Sequence, residues 1–189
     1  MEVRDFERSV GRYVQDIFGP DASALLYGDD DNEYSVAILH GPDCPDWGTT
    51  SYSTVGLSNF FQDVNGASVR VEVISASATE VVDYPLALSS CFFEHVKNST
   101  NIIYGTVIPD ILEQYNLSPT LKHFTFVAPF LWQGLSRAKI AGEDVLWLYA
   151  IGITDAERRF LAANGIDELE KLFVEQQIDL FDISRASVV

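Results

Sequence analysis

The sequence predicts an α+β fold, a single domain over residues 1–189 with helices packed against a central, largely antiparallel or mixed sheet. Three observations predict it. After one opening helix, strand alternation joined by turn residues fills the first half. Two strongly apolar runs, 124–130 and 145–153, mark the centre of a sheet in the second half. Two helix-start signals follow the second run. At 189 residues, 47% hydrophobic and 12% aromatic, the chain can fill the core of one ordinary domain and is too apolar to be disordered.

Val3, Phe6, Val10, Tyr13, Val14 and Ile17 recur at three- and four-residue spacing, so they share one face of a helix. Gly19-Pro20 ends it. A short strand at 24–27 and a second at 34–39 flank Gly28-Asp29-Asp30-Asp31-Asn32, whose turn chemistry makes the pair a hairpin. The stretch 41–48 is a loop by composition. Thr49 to Val55 reads as a strand, and Gly56 interrupts it. Asn65-Gly66 marks a tight turn before Val69, Val71 and Val73, which alternate with Arg70 and Glu72.

Ser77-Ala78-Thr79-Glu80 opens a second helical stretch, and Pro85 places the true helix start near Asp83, with the proline in the first turn. The region 98–115 shows no clear period. Between the two most apolar runs lies a polar segment, 134–144. Thr154-Asp155-Ala156-Glu157 is a capping box, and Gly165 closes the helix that it starts. Asp167 to Glu170 repeats the box, predicting a last helix to about Gln177. No internal repeat or linker divides the chain.

The charge narrows function. Twenty-eight acids against 12 Lys and Arg leave a formal charge of −16. Phosphate repels such a surface, so direct nucleic-acid binding is not expected, and neither is an anionic membrane. The start, Met1-Glu2-Val3-Arg4-Asp5, is not a signal peptide, and the longest apolar run is far short of the ~20 residues that a bilayer needs. The expectation is a cytoplasmic protein. The distribution of charge says more than its total. Between Arg12 and Arg70 stand nine acids and no Lys or Arg, and from Glu143 onward there are ten acids against four bases. Such blocks either steer a basic protein into place or reflect the acids that turns and helix starts collect anyway.

Catalytic and cofactor signals are missing. There is no GxGxxG, P-loop or HExxH pattern, and no GxSxG elbow. His40, His95 and His123 are isolated in sequence, and Cys44 and Cys91 form no CxxC, so neither a metal centre nor a disulfide is predicted. Asp29 to Glu33 fails the EF-hand pattern, because Tyr34 stands where the glycine belongs. The chain is expected to need no cofactor, to bind no metal and to be no enzyme.

Five segments taken together and in order resemble the Suppressor-of-fused (SUFU) domain family in its compact bacterial form. They are Thr50 to Ser58, like the family's T-x-ST-x-GLS strand and turn; Val69 to Ile74; Phe126 to Trp132; Val145 to Glu157, like W-x-x-x-I-x-I-T-x-x-E; and Leu169 to Phe173 with the tail from Asp179. The resemblance implies a binding protein, closest to immunity-type members that neutralise LXG-type toxins with nuclease domains. The cognate toxin would then be a partner with a basic C-terminal domain. A general SUFU-type peptide-binding module is the alternative, and an unrecognised hydrolase a further one; a homodimer is compatible with the chain's size. The residues expected to meet a partner are the acidic tip Asp29, Asp30, Asp31 and Glu33, with the loop residues Asp43, Asp46 and Trp47, a tryptophan that anchors an interface only if exposed.

Overall fold

The computed structural model describes residues 3–31, 33–78 and 81–189. Helix α1 (Val3–Phe18) opens the chain. Strands β1 (Ser23–Gly28), β2 (Ser35–Pro42) and β3 (Thr50–Val55) follow as a meander, then a 3-10 turn at Leu57–Asn59 and the hairpin of β4 (Gln62–Val64) with β5 (Ala67–Ser77). Helix α2 (Tyr84–Asn98), strand β6 (Val107–Ile108), the single-turn α3 (Ile111–Gln114) and strand β7 (His123–Val127) come next. The hairpin of β8 (Arg137–Ile140) with β9 (Glu143–Ile153) precedes α4 (Asp155–Asn164) and α5 (Ile166–Glu175).

The strands form one sheet in the order β1-β2-β3-β5-β9-β7-β6, with β4 paired to β5 and β8 to β9. Among the described residues every pairing is antiparallel except β5 with β9, which run parallel with Ile74 beside Tyr149. That one parallel junction joins the two halves of the chain, and it needs the long crossover through α2 and β7.

Alternation along the strands feeds two cores. On one face α1 lays Phe6, Val10, Val14 and Phe18 against the sheet, and Leu169 and Phe173 of α5 extend that cover. On the other, Leu88, Cys91 and Phe92 of α2 pack against Ile38, Tyr52 and Val73. Each fully buried Leu, Val or Phe contributes about 1.5–3 kcal/mol, so helix placement follows from these apolar stripes. Close approach explains one glycine: a Cβ on Gly41 of β2 would stand 2.7 Å from the Phe18 ring.

Several expectations need correction. Ser77 does not open a helix; it is the last residue of β5, and the helix begins at Tyr84 with Pro85 in its first turn. Thr79 and Glu80 lie outside the described residues. The polar segment 134–144 contains β8, whose turn at Ala141 and Gly142 takes positive φ at both positions. The second capping box does not cap: α5 starts at Ile166 behind Gly165, without a side-chain cap. Strand β7 is not central, because only the two-residue β6 lies beyond it. It is nonetheless buried on both faces, which is why it reads as central.

Candidate partner-binding surface

The acidic tip is a built turn. The Asp29 N–H donates to the Tyr34 carbonyl at 3.1 Å, closing the β1–β2 hairpin. One oxygen of the Asp29 side chain accepts from the Glu33 N–H at 2.8 Å and from the Tyr34 N–H at 3.0 Å. The other meets Lys97 Nζ of α2 at 2.8 Å, leaving the side chain 4% exposed. The Lys97 contact is the main reason that Asp29 titrates below the ordinary carboxylate range. Asp29 therefore holds the tip in place, while Asp30, Asp31 and Glu33 project into solvent. Asn32 lies outside the described residues.

The second loop is fixed as firmly. Cys44 N–H donates to the Thr49 carbonyl, Gly48 N–H to Asp43 Oδ1 at 2.7 Å, and Thr49 Oγ1 to the Asp46 carbonyl at 2.6 Å. Beneath it Trp132 Nε1 donates to Ser51 Oγ, which donates to the Cys44 carbonyl. The Cys44–Pro45 bond is cis. The product is an ordered loop that displays Trp47 at 89% exposure, beside the exposed Asp46 and Asp43. A loop already held by hydrogen bonds loses little backbone entropy when its exposed indole binds.

The structure does not bring the two groups together. They sit at opposite ends of β2, whose eight residues span about 23 Å. One partner would have to reach along the whole strand to touch both.

Residues that look chemical in sequence serve the fold. Glu72 on β5 is fully buried and accepts from Thr54 Oγ1, the Gly56 and Ser58 N–H groups and Ser58 Oγ. Burial still raises it above the ordinary carboxylate range. Glu157, the capping-box acid, accepts from the Thr154 N–H at 2.8 Å and from both terminal nitrogens of Arg185 at 2.6 and 2.9 Å. His123 accepts from the Asp110 N–H at Nδ1, so its Nε2 carries the proton toward Asp155. His95 Nδ1 faces the Thr100 carbonyl. Both cysteines are buried free thiols, pushed up by desolvation. Among the described residues no three His, Cys, Asp or Glu side chains gather as a metal-holding group.

Sequence reasoning missed one exposed feature. Strand β1 carries Leu25 and Leu26, 58% and 74% exposed, and Val82 ahead of α2 is 82% exposed. The signal was the uncharged run Ser23 to Tyr27, read only as a short strand.

The comparisons with known proteins agree with this architecture. Residues 31–186 match the sequence model of the Suppressor of fused protein (SUFU) family. The chain is 34% identical over 192 residues, covering both proteins in full, to Immunity protein YqcF of Bacillus subtilis (strain 168). A SUFU homologue from Neisseria gonorrhoeae FA 1090 superposes with a TM-score of 0.79 at 21% identity over 98% of each chain. Drosophila Suppressor of Fused aligns with a TM-score of 0.56 at 16% identity, over 88% of this chain and 42% of that one. Among the described residues no helix is long and apolar enough to cross a membrane.

Proposed function

The chain belongs to the Suppressor of fused family, and from that premise we propose that it is an immunity protein that binds a cognate toxin and blocks it by direct contact. The observation that carries this reading is full-length identity of 34% to a protein named as an immunity protein. The surface supports it. Family signature residues such as Thr54, Gly56, Ser58 and Glu157 are buried and hold the fold, so recognition falls to the exposed loops. Those loops are acidic, and the whole chain carries −16.

The toxin we propose is of the LXG type with a nuclease domain. A nuclease must gather phosphates and is basic where it does so. Carboxylates on ordered loops would steer such a partner and raise the association rate. Asp30, Asp31 and Glu33 are the steering group in this reading, and Trp47 with Asp43 and Asp46 is the anchor. Asp29 contributes by keeping the tip in shape. The protein acts by occupancy, with no catalytic step of its own.

The test is co-expression. Cells carrying an inducible toxin domain from the same locus should grow when this chain is present and die when it is absent. The two proteins should also co-elute as a stoichiometric complex. Death at the same rate with and without the chain would overturn the reading.

A further inference from the structure

The two halves of the sheet meet where β5 and β9 run parallel, from Arg70 beside Val145 to Ile74 beside Tyr149. Ahead of that first pair the strands part. Each follows its own hairpin, β5 with β4 up to Val64 opposite Ala67, and β9 with β8 up to Ile140 opposite Glu143. The gap between the hairpins is a cavity of about 380 Å³, with Ser68 and Arg70 on one side and Arg137, Glu143 and Asp144 on the other. Phe61, Val69 and Leu146 supply its apolar wall.

Arg70 is held in place by the fold. Its Nη1 donates to the Ser58 carbonyl at 2.8 Å, and its guanidinium carbon lies 4.3 Å from the centre of the Phe61 ring and 5.1 Å from that of Phe6. Nε meets Glu143 Oε2 at 3.3 Å, and the side chain is 19% exposed, whereas that of Glu143 is about half exposed. Arg137 Nη2 meets Asp144 Oδ2 at 3.3 Å, with both side chains open to solvent. That contact is the main reason that Asp144 titrates below the ordinary carboxylate range, so it stays ionised. Lys139 reaches Asp144 at 4.0 Å from outside the cavity lining. Exposed ion pairs of this kind are weak, and a ligand that offers the same charges can take the place of either partner.

In a chain of net charge −16 this cleft is balanced, with the guanidinium groups of Arg70 and Arg137 against the carboxylates of Glu143 and Asp144. The balance selects the ligand. An anion alone would sit against two carboxylates, and a cation alone against two guanidinium groups. A small molecule with both charges side by side and an apolar body matches the whole lining.

We propose that this cleft binds a free α-amino acid with an apolar side chain. The guanidinium fork of Arg70, with Arg137, takes the carboxylate. Glu143 and Asp144 take the ammonium, and the side chain lies on Phe61 beside Val69 and Leu146. The bound molecule ties the hairpin of the first half to that of the second. None of this rests on the immunity reading, and its test uses no toxin.

The probe is L-phenylalanine, titrated into the full chain and followed by amide chemical shifts. Saturable shifts should appear in residues 61–70 and 137–146, with a Kd of about 1 mM or below, the range open to a ligand of roughly a dozen non-hydrogen atoms. The melting temperature should rise with its concentration. Three analogues, on the wild-type chain, test one part of the ligand each. N-acetyl-L-phenylalanine lacks the ammonium, phenethylamine the carboxylate and glycine the ring, and each should bind at least tenfold more weakly. Arg137→Gln and Asp144→Asn, both at exposed positions, should weaken L-phenylalanine about tenfold and leave the melting temperature of the free chain unchanged. Should either variant unfold, the analogue series on wild type decides alone. The proposal is overturned by no saturable shift up to the solubility limit, by shifts centred on another segment, by any analogue within tenfold of L-phenylalanine, or by full affinity in either folded variant.

Discussion

Ser58 meets Glu72 twice: its hydroxyl donates at 2.6 Å and its N–H at 3.1 Å to the same carboxylate oxygen. The Gly56 N–H joins them at 3.0 Å, with Gly56 at a φ of 127° that a side chain rarely adopts. Two segments distant in sequence, the GLS turn and the β5 strand, are thereby one buried network. Both segments carry the resemblance to the family, and the network gives them a structural reason to do so.

Removing Glu72 leaves three buried donors, the Gly56 and Ser58 N–H groups and Ser58 Oγ, without an acceptor, and Thr54 Oγ1 with only the Val73 carbonyl at 3.4 Å. Glu72→Ala should cost about 3–5 kcal/mol, and Glu72→Gln, which keeps one acceptor oxygen, clearly less. The pH dependence has a definite sign. Burial raises the folded-state pKa of Glu72, so its contribution is largest below the ordinary Glu value of about 4.3 and falls as pH rises through the folded value. Urea unfolding of wild type and Glu72→Gln across pH 4–8 should show wild type losing ground to the variant as pH rises.

Arg185 fastens the C-terminal segment. It bonds both oxygens of Glu157 and the Gly152 carbonyl, while the Val188 N–H reaches Glu157 as well. Arg185→Ala leaves a fully buried carboxylate without its cation and should cost about 3–5 kcal/mol. Arg185→Lys should recover part of this, because one ammonium cannot span both oxygens. Thermal and urea unfolding measure both.

Asp29 makes the hairpin tip sensitive to acid. Its folded pKa is lowered, mainly by the hydrogen bond from Lys97. The stabilisation is therefore present above the ordinary Asp value of about 3.9 and is lost as pH falls through the lowered one. The difference in melting temperature between wild type and Asp29→Asn should be present at neutral pH and vanish in strong acid. A difference that persists at low pH would mean that the carboxylate does not hold the tip.

The tip and the tryptophan loop should separate kinetically. Reversing Asp30, Asp31 and Glu33 to Lys should slow association with the toxin domain and flatten its salt dependence, with little change in dissociation. Trp47→Ala should leave stability within about 0.5 kcal/mol, since the side chain is exposed. In the interface, it should raise the dissociation rate by the equivalent of about 2 kcal/mol or more. Stopped-flow and surface-capture kinetics at two salt concentrations distinguish the two effects.

Much of the fold was legible because its signals are local. The apolar stripe of α1, the Thr154–Glu157 box and the proline at the head of α2 each act within a few residues. Strand β8 was not legible, since four residues are too few for their alternation to stand out and the register with β9 defines them. The parallel β5–β9 junction was hidden as well, because pairing between distant segments leaves no mark in either. At the surface, acidity located the tip and the loop but not their separation along β2. The open edge of β1 went unseen because exposure depends on which strand lacks a neighbour.

The most direct test titrates the purified chain into the C-terminal domain of the proposed cognate toxin, following heat and toxin activity together. The account predicts saturation at one chain per toxin domain, activity falling in step with occupancy, and weaker binding at higher salt. Unchanged activity and no binding heat at molar excess would contradict it.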